Sequence, residues 1–449
     1  MTDNARKACS LPDKNNPTSG RTRSPWGWIP SVYIAEGLPY FAVNTLTVLM
    51  YNNLGISKSE MAFFTGWLYL PWVIKPFWSP FVDLFRTKRW WTLTTELLIA
   101  LAMGGVALLL PSNAFFAATL AVFWIMAFLS ATHDIAADGY YMLALDSKRQ
   151  AAFVGVRSTF YRIASVLGQG GLVMLAGFLE TACQSIPVAW SLTFATLSLC
   201  FLLIFLLNMT MMPRPALDKP VPGVSPHTIA VDFGKTFVTF FQKPHIASAL
   251  AFMLLYRLPE ALCLKMVQPF LVDSRAMGGL ALSTSQVGMV NGTVGVIALL
   301  AGGIAGGLVI ARGGLRKWLW PMALCHTLTC GVYCWLAMTQ PENILLTACA
   351  IAVEQAGYGF GFTAFMMYLM YFSRGESQTS HYAFCTAFMA LGMMIPGMAA
   401  GWIYEMLTPV ASPATSSVSP GYIYFFWTVM ASCAATFAVV AASRPHIRE

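Results

Sequence analysis

Charge is what this sequence has least of. Asp, Glu, Lys and Arg make up 10% of its 449 residues, where a soluble chain carries about a quarter. With 57% hydrophobic residues and a mean hydropathy of +0.63, that scarcity excludes an ordinary soluble globular fold. Strict apolar–polar alternation is missing as well. The apolar runs are continuous, which excludes a transmembrane β-barrel. Residues 1–23 have no apolar core and no small-residue cleavage site but hold Arg6, Lys7, Lys14, Arg21 and Arg23, so they read as a polar tail rather than a secretory signal. The ten cysteines are scattered and mostly fall inside apolar runs, which points to buried packing residues rather than a disulfide framework. No nucleophile–base pair or metal-ligand set stands out, so neither an enzyme nor a cofactor is expected.

What is present is a succession of apolar runs, each long enough to cross a bilayer. Twelve spans are expected, near 26–51, 60–82, 91–110, 114–145, 151–179, 187–211, 245–272, 284–311, 317–338, 343–372, 380–407 and 420–443. The fold class is therefore an all-α polytopic membrane protein. Six prolines between 213 and 244 mark a polar linker. It divides the chain into an N-terminal tail (1–25), a six-helix bundle (26–211), the linker (212–244), a second six-helix bundle (245–443) and a C-terminal tail (444–449). Most of the 27 basic residues fall in connections on the side of the tails and the linker, whereas Lys58 and Arg275 are alone on the other. By the positive-inside rule both termini and the linker are cytoplasmic. Topology thus accounts for the net charge of +8, and no nucleic-acid partner is inferred.

The two halves echo one another in order. "GLPY" (37–40) in the first span stands opposite "RLPE" (257–260) in the seventh. Asp134 maps onto Glu354 at the same offset. "GFLE" (177–180) ends the fifth span much as "GWIYE" (401–405) ends the eleventh. Two parallel six-helix repeats about an axis along the membrane normal resemble the major facilitator superfamily fold.

Ionisable groups inside the spans are expensive facing lipid, roughly 2.5–3.5 kcal/mol or more each, so they are expected to face protein or a watery cavity. They comprise the acids Glu36, Glu96, Asp134, Asp138, Glu260 and Glu354 and the bases Lys75, Arg157, Arg162, Arg257 and Lys265. Glu36, Asp134, Asp138, Arg257, Glu260 and Glu354 fall on spans 1, 4, 7 and 10. Distance from the turn near Lys148 puts Asp134 level with Arg162, about 21 Å away, and Asp138 level with Arg157, about 14 Å away. Both couples are expected ion pairs, either structural or switching. Asp134 and Asp138 share a helix face at i,i+4, and two close carboxylates resist joint ionisation. Asp134, Asp138, Glu36 and Glu354 are therefore the candidate proton carriers. His133 either packs or relays.

Arg257 and Glu260, at i,i+3, either neutralise each other or serve an anionic substrate and a switchable acid. Glu36, Tyr40 and Asn44 form a polar stripe on span 1, which Pro39 is expected to bend. Tyr358 follows Glu354 in the same way. Lys75, between Pro71 and Pro76, either snorkels or pairs with an acid. His326, Cys330 and Cys334 share a face but lack a fourth ligand, so no metal is expected. Asp83, with Arg86 and Arg89 in "FVDLFRTKRW" (81–90), has the form of a gating latch between spans 2 and 3.

The chain resembles the AmpG-type muropeptide permeases, a branch of the major facilitator superfamily related to acetyl-CoA transporters. "GLPY", "KPFWSPFVD" (75–83), "HDIAAD" (133–138), "YRIA" (161–164), "VEQAGYGFGFTAF" (353–365), "YAFCTAF" (382–388) and "AGW" (400–402) carry the resemblance. It implies import of anhydro-muropeptides, disaccharide-peptides released from peptidoglycan, across the bacterial inner membrane by proton symport. It places Asp134, Asp138, Tyr161 and Arg162 at matching positions. The chain departs from the family at His133, where Gln is usual, and at Tyr141 and Leu143, where a base and an acid are usual. Arg162 and Arg257 are expected to hold substrate carboxylates or acetamido oxygens, with Tyr40, Asn44, Trp67 and Tyr358 along the sugar path. Two other classes are a facilitator or exchanger of an acyl-CoA or nucleotide-like anion, and a non-transporting membrane sensor.

Overall fold

The computed structural model describes residues 24–215, 218, 226–375, 378–408 and 419–447. Among these residues every regular element is helical. The helices, in chain order, are α1 (Pro25–Asn53), α2 (Lys58–Trp67), α3 (Leu70–Leu84), α4 (Lys88–Leu109), α5 (Phe115–Ala144), α6 (Ser147–Cys183), α7 (Ile186–Met211), α8 (Pro226–Phe241), α9 (Ile246–Val272), α10 (Thr284–Gly313), α11 (Leu315–Thr339), α12 (Ile344–Ser373), α13 (Gln378–Leu407) and α14 (Gly421–His446). Eleven of them are long and apolar enough to cross a bilayer. The span expected near 60–82 is the exception. It is built from α2 and α3, of 10 and 15 residues, which part at Leu68–Tyr69. Pro71 has no N–H to give the carbonyl of Trp67, and the chain there turns through a Tyr69 N–H bond to the Gly66 carbonyl.

Proline also shapes the first and seventh spans. Three residues after Pro39, α1 widens into a π-helical turn, Ala42–Leu46. α9 is interrupted at Tyr256–Arg257, just before Pro259. Two further π turns follow glycine clusters, Leu167–Gly171 in α6 and Gly288–Gly295 in α10. Such turns often mark functional positions in a helix. The sequence patterns contain no signal for them beyond the glycines.

Leu101, Leu108, Leu203, Ile304 and Leu345 are exposed and furnish the apolar coat that a lipid environment requires. Inside, small residues let backbones approach. A Cβ on Gly302 would collide with the carbonyl of Ala356, and one on Gly359 with that of Leu299. α10 and α12 therefore lie in close contact.

A buried polar network ties α1, α4, α5 and α7 together. Asn208 donates to Glu96 at 2.7 Å, Ser31 donates to Asn208 at 2.5 Å, and His133 Nε2 lies 3.3 Å from Glu96. Glu96, His133 and Asn208 are fully buried. His133 thus faces a structural clamp and not the aqueous path.

Candidate functional site

Two adjacent chambers lie between the helices. The larger, about 840 Å³, reaches Thr236 of α8 and Ser380 at the start of α13. The smaller, about 370 Å³, lies among α1, α6, α9, α10 and α12. Tyr40, Tyr69, Arg257 and Met393 line both and form the partition between them.

Asp134 and Asp138 stand in the wall of the larger chamber, and Glu36 meets them from behind it. Oxygens of Glu36, Asp134 and Asp138 lie within 4.8 Å of one another. Lys75 of α3 is ion-paired with Asp134, and Arg157 of α6 with Asp138 at 2.8 Å. Tyr33 donates to Asp138 at 3.3 Å, and its ring lies 4.7 Å beneath the Arg157 guanidinium, with Tyr141 at 5.6 Å. One oxygen of Glu36 is buried with no hydrogen-bond partner. Two of the carboxylates already hold side-chain cations, so the cluster is a poor cradle for a metal ion.

The expected Asp138–Arg157 pair forms, but Asp134–Arg162 does not. Equal distance from a turn implies contact only when the two helices stay side by side. Here α6 packs along α1 while α5 packs on α3 and α4, so the two elements separate beyond the first turns. Lys75 reaches Asp134 from α3 instead. Arg162 lines the smaller chamber, exposed on its wall, without a hydrogen bond or ion pair to any described residue.

Arg257 and Glu260 are bound to each other by two hydrogen bonds of 2.7 and 2.5 Å, and Arg257 also donates to Tyr358 at 3.1 Å. The Arg257 guanidinium lies over Phe362 at 4.7 Å. Arg257 is therefore part of the partition rather than a free anion site. His326 stacks on Tyr256 at 5.3 Å and approaches Glu260 at 3.8 Å. Glu354 lines the smaller chamber and accepts from Tyr333 and Gln355, each at 2.8 Å. Tyr40, Asn44 and Tyr161 line it as well. Trp67 lines neither chamber. It lies against Phe63, and the aromatic positions on the path are Tyr69 and Trp72, beyond the helix break. Lys265, expected in a span, is buried and donates to the Thr65 carbonyl at 3.2 Å.

The side chain of Asp83 falls outside the described residues, so the expected latch is represented by its bases alone. Arg86 lies over Trp90 at 5.8 Å. Arg89 donates to the carbonyls of Met209 and Met212 at 2.7 and 3.2 Å, capping the end of α7. Asp218 accepts from the N–H groups of Lys88 and Arg89 at 2.6 and 3.0 Å, at the start of α4.

Away from the linker the helix ends close on one another. Lys58 pairs with Asp273 at 2.9 Å, and Tyr422 donates to Asp273 at 2.7 Å. Glu180 accepts from Asn53 at 3.0 Å and Thr284 at 2.5 Å, while Glu405 accepts from the Ser59 N–H at 2.9 Å. Gly177 meets the backbone of Ser285, and Gly401 meets that of Lys58, with no room for a Cβ. The repeated "GFLE" and "GWIYE" segments thus do the same job, each seating a helix start.

Residues 31–398 match the family model described as Major Facilitator Superfamily. The chain belongs to the major facilitator superfamily. Within that superfamily it is 26% identical over 380 residues to the anhydromuropeptide permease of Escherichia coli, covering 83% of this chain and 72% of that one. It is 23% identical to a putative transporter, AmpG 4, of Rickettsia conorii, covering 83% and 88%. The fold is that of a nucleoside transporter, NupG (TM-score 0.69, 14% identity, 92% and 98% covered), and of a D-xylose–proton symporter (TM-score 0.68, 11% identity, 91% and 95% covered). This is a multi-pass membrane transporter of the superfamily, not an enzyme, and its substrate is a small molecule.

Proposed function

We propose that the transporter imports anhydro-muropeptides across a bacterial inner membrane by proton symport, with both termini cytoplasmic and two six-helix halves rocking about the central chambers. The similarity to an anhydromuropeptide permease supports the substrate. The observation that carries the coupling is the charge count at the chamber wall. Three carboxylates face two side-chain cations, Lys75 and Arg157. Fully ionised, the set holds one uncompensated negative charge in a medium that penalises it. With both cations in place a proton on Glu36 supplies the missing charge, and withdrawal of Lys75 leaves Asp134 in need of a further one, which is the coupled proton.

Asp134 is the carboxylate whose partner is free to change. Lys75 sits on a separate short helix beyond a proline break, whereas Asp138 is held by Arg157 and Tyr33 together. In the conformation described here Lys75 neutralises Asp134. When the halves rock and α3 withdraws, a proton from the acidic side takes the place of the ammonium. The return of Lys75 expels that proton on the linker side. Glu36, behind the pair, and Glu354, across the smaller chamber, are the reserve positions. Arg162 is the cation left for the substrate's own negative charge.

The test is uptake of labelled anhydro-muropeptide into proteoliposomes containing Asp134→Asn, beside an unaltered control. The variant is expected to exchange substrate across the membrane but not to concentrate it. Gradient-driven accumulation by Asp134→Asn would remove it from the coupling step. A non-transporting sensor would show neither exchange nor accumulation in the unaltered protein.

A further inference from the structure

The smaller chamber contains unsatisfied groups of both signs. Asn44 and Gln268 are 2% and 6% exposed, line the chamber, and each has a side-chain carbonyl oxygen without a hydrogen-bond partner. Buried polar groups are almost always satisfied, and leaving one bare costs about 1–3 kcal/mol. Arg162, on the opposing α6, offers guanidinium donors that no described residue accepts. The Asn44 and Gln268 oxygens are themselves sealed from the cavity, so what the chamber presents to a ligand is the Arg162 guanidinium beside carboxamide side chains.

The backbone reinforces this reading. The π turns of α1 and α10 hold Asn44 and Asn291, and that of α6 holds Gln169. All three amides line this chamber. Gly170 and Gly292 press the turns of α6 and α10 together without room for a Cβ. The floor of the chamber thus sets carboxamides beside Arg162, while Arg257 is taken up by Glu260.

The larger chamber is different in kind. Tyr40 and Trp72 meet edge to face at 5.2 Å, and Tyr40 and Tyr69 at 6.4 Å. Ser79, Thr236 and Ser380 add polar groups around these rings. Flat aromatic faces with scattered hydroxyls suit the apolar face and hydroxyl rim of a sugar ring, and they offer no unpaired cation.

We propose that the smaller chamber is the subsite for the carboxylate-terminated end of a short peptide, and that the larger chamber takes the sugars. Arg162 holds the terminal carboxylate by charge-assisted hydrogen bonds, and the carboxamides of Gln169 and Asn291, in the same chamber, face the peptide's polar backbone. An uncharged disaccharide has donors but no anion, so it leaves Arg162 unsatisfied. The assignment of the sugars rests on the muropeptide reading above; that of the peptide end does not.

The experiment is calorimetric titration of the purified full-length protein with three probes: a disaccharide-peptide, the same disaccharide without peptide and with its lactyl carboxyl capped as the uncharged amide, and the free stem peptide. Arg162→Gln is expected to weaken the disaccharide-peptide and the free peptide by about tenfold or more while leaving the disaccharide unchanged. Arg162→Lys restores part of the loss, which a folding defect would not. Trp72→Leu gives the converse pattern. If Arg162→Gln weakens the bare disaccharide as much as the disaccharide-peptide, the subsite assignment is overturned while the substrate reading stands. Arginine-dependent binding of the free peptide without binding of the disaccharide-peptide supports the subsite and removes the muropeptide as substrate. Binding of no probe by the unaltered protein overturns both.

Discussion

Lys75 and Asp134 form an ion pair across the contact of α3 and α5, on the wall of the larger chamber. The pair joins a helix fragment beyond a proline break to a continuous 30-residue helix. It is flanked by a second pair, Asp138–Arg157, and by Glu36 without a cationic partner of its own. In the proton-symport proposal this cluster is the proton site, and its occupancy depends on where Lys75 lies.

Removing the ammonium is expected to uncouple transport without abolishing it. One proton moved down a gradient of one pH unit supports about tenfold accumulation. Lys75→Met should forfeit that factor while retaining substrate exchange, because the proton then stays on the carboxylate in both conformations. Counterflow and gradient-driven uptake, measured on the same vesicles, check this. Full accumulation by Lys75→Met would show that another cation expels the proton.

The Glu96–His133–Asn208 network predicts a change in stability rather than in coupling. Glu96→Ala leaves His133 and Asn208 buried without their acceptor, at a cost of about 1–3 kcal/mol. Its thermal midpoint in detergent should fall well below that of Glu96→Gln, which keeps an acceptor. Both variants, where folded, should retain gradient-dependent uptake. Loss of coupling in a Glu96→Gln protein with an unaltered midpoint would contradict the structural role.

At the end away from the linker, Gly177→Leu and Gly401→Leu should prevent closure. Their side chains would enter the backbone of Ser285 and Lys58. In a cysteine-free background, spin labels at Glu60→Cys and Met277→Cys should report a longer distance in either glycine variant, with substrate uptake lost. An unchanged distance would mean that the glycines serve packing alone.

Arg89 is expected to steady the linker side. Arg89→Ala removes two donors from the end of α7, worth about 1 kcal/mol at this partly exposed site. Limited proteolysis should cut the linker faster in the variant. Equal cleavage rates would mean that Asp218 alone holds that corner.

Much of this was legible in the sequence, for identifiable reasons. Apolar run length located the spans, because lipid allows few alternatives to a helix. The cost of intramembrane charge pointed to Glu36, Asp134, Asp138 and Glu354, and the Asp138–Arg157 pair followed from its closeness to a turn. Asp134–Arg162 failed because equal depth does not imply that two helices remain neighbours so far from their turn. Trp67 was misplaced because one broken turn before Pro71 carries Tyr69 and Trp72 to the path instead. The amides of Gln268, Asn291 and Gln169 went unnoticed, since a neutral amide in an apolar run carries no charge penalty to flag it. Only their position against the π turns of α1, α6 and α10 shows what they face.

The most direct test of the account is accumulation of labelled anhydro-muropeptide in proteoliposomes of uniform orientation, with and without an inward proton gradient. The account predicts uptake against a concentration gradient only when the proton gradient is imposed, and its collapse on adding a protonophore. Equal uptake with and without the gradient, stopping at equilibrium, would contradict proton coupling. It would leave the carboxylate cluster a structural feature of the fold.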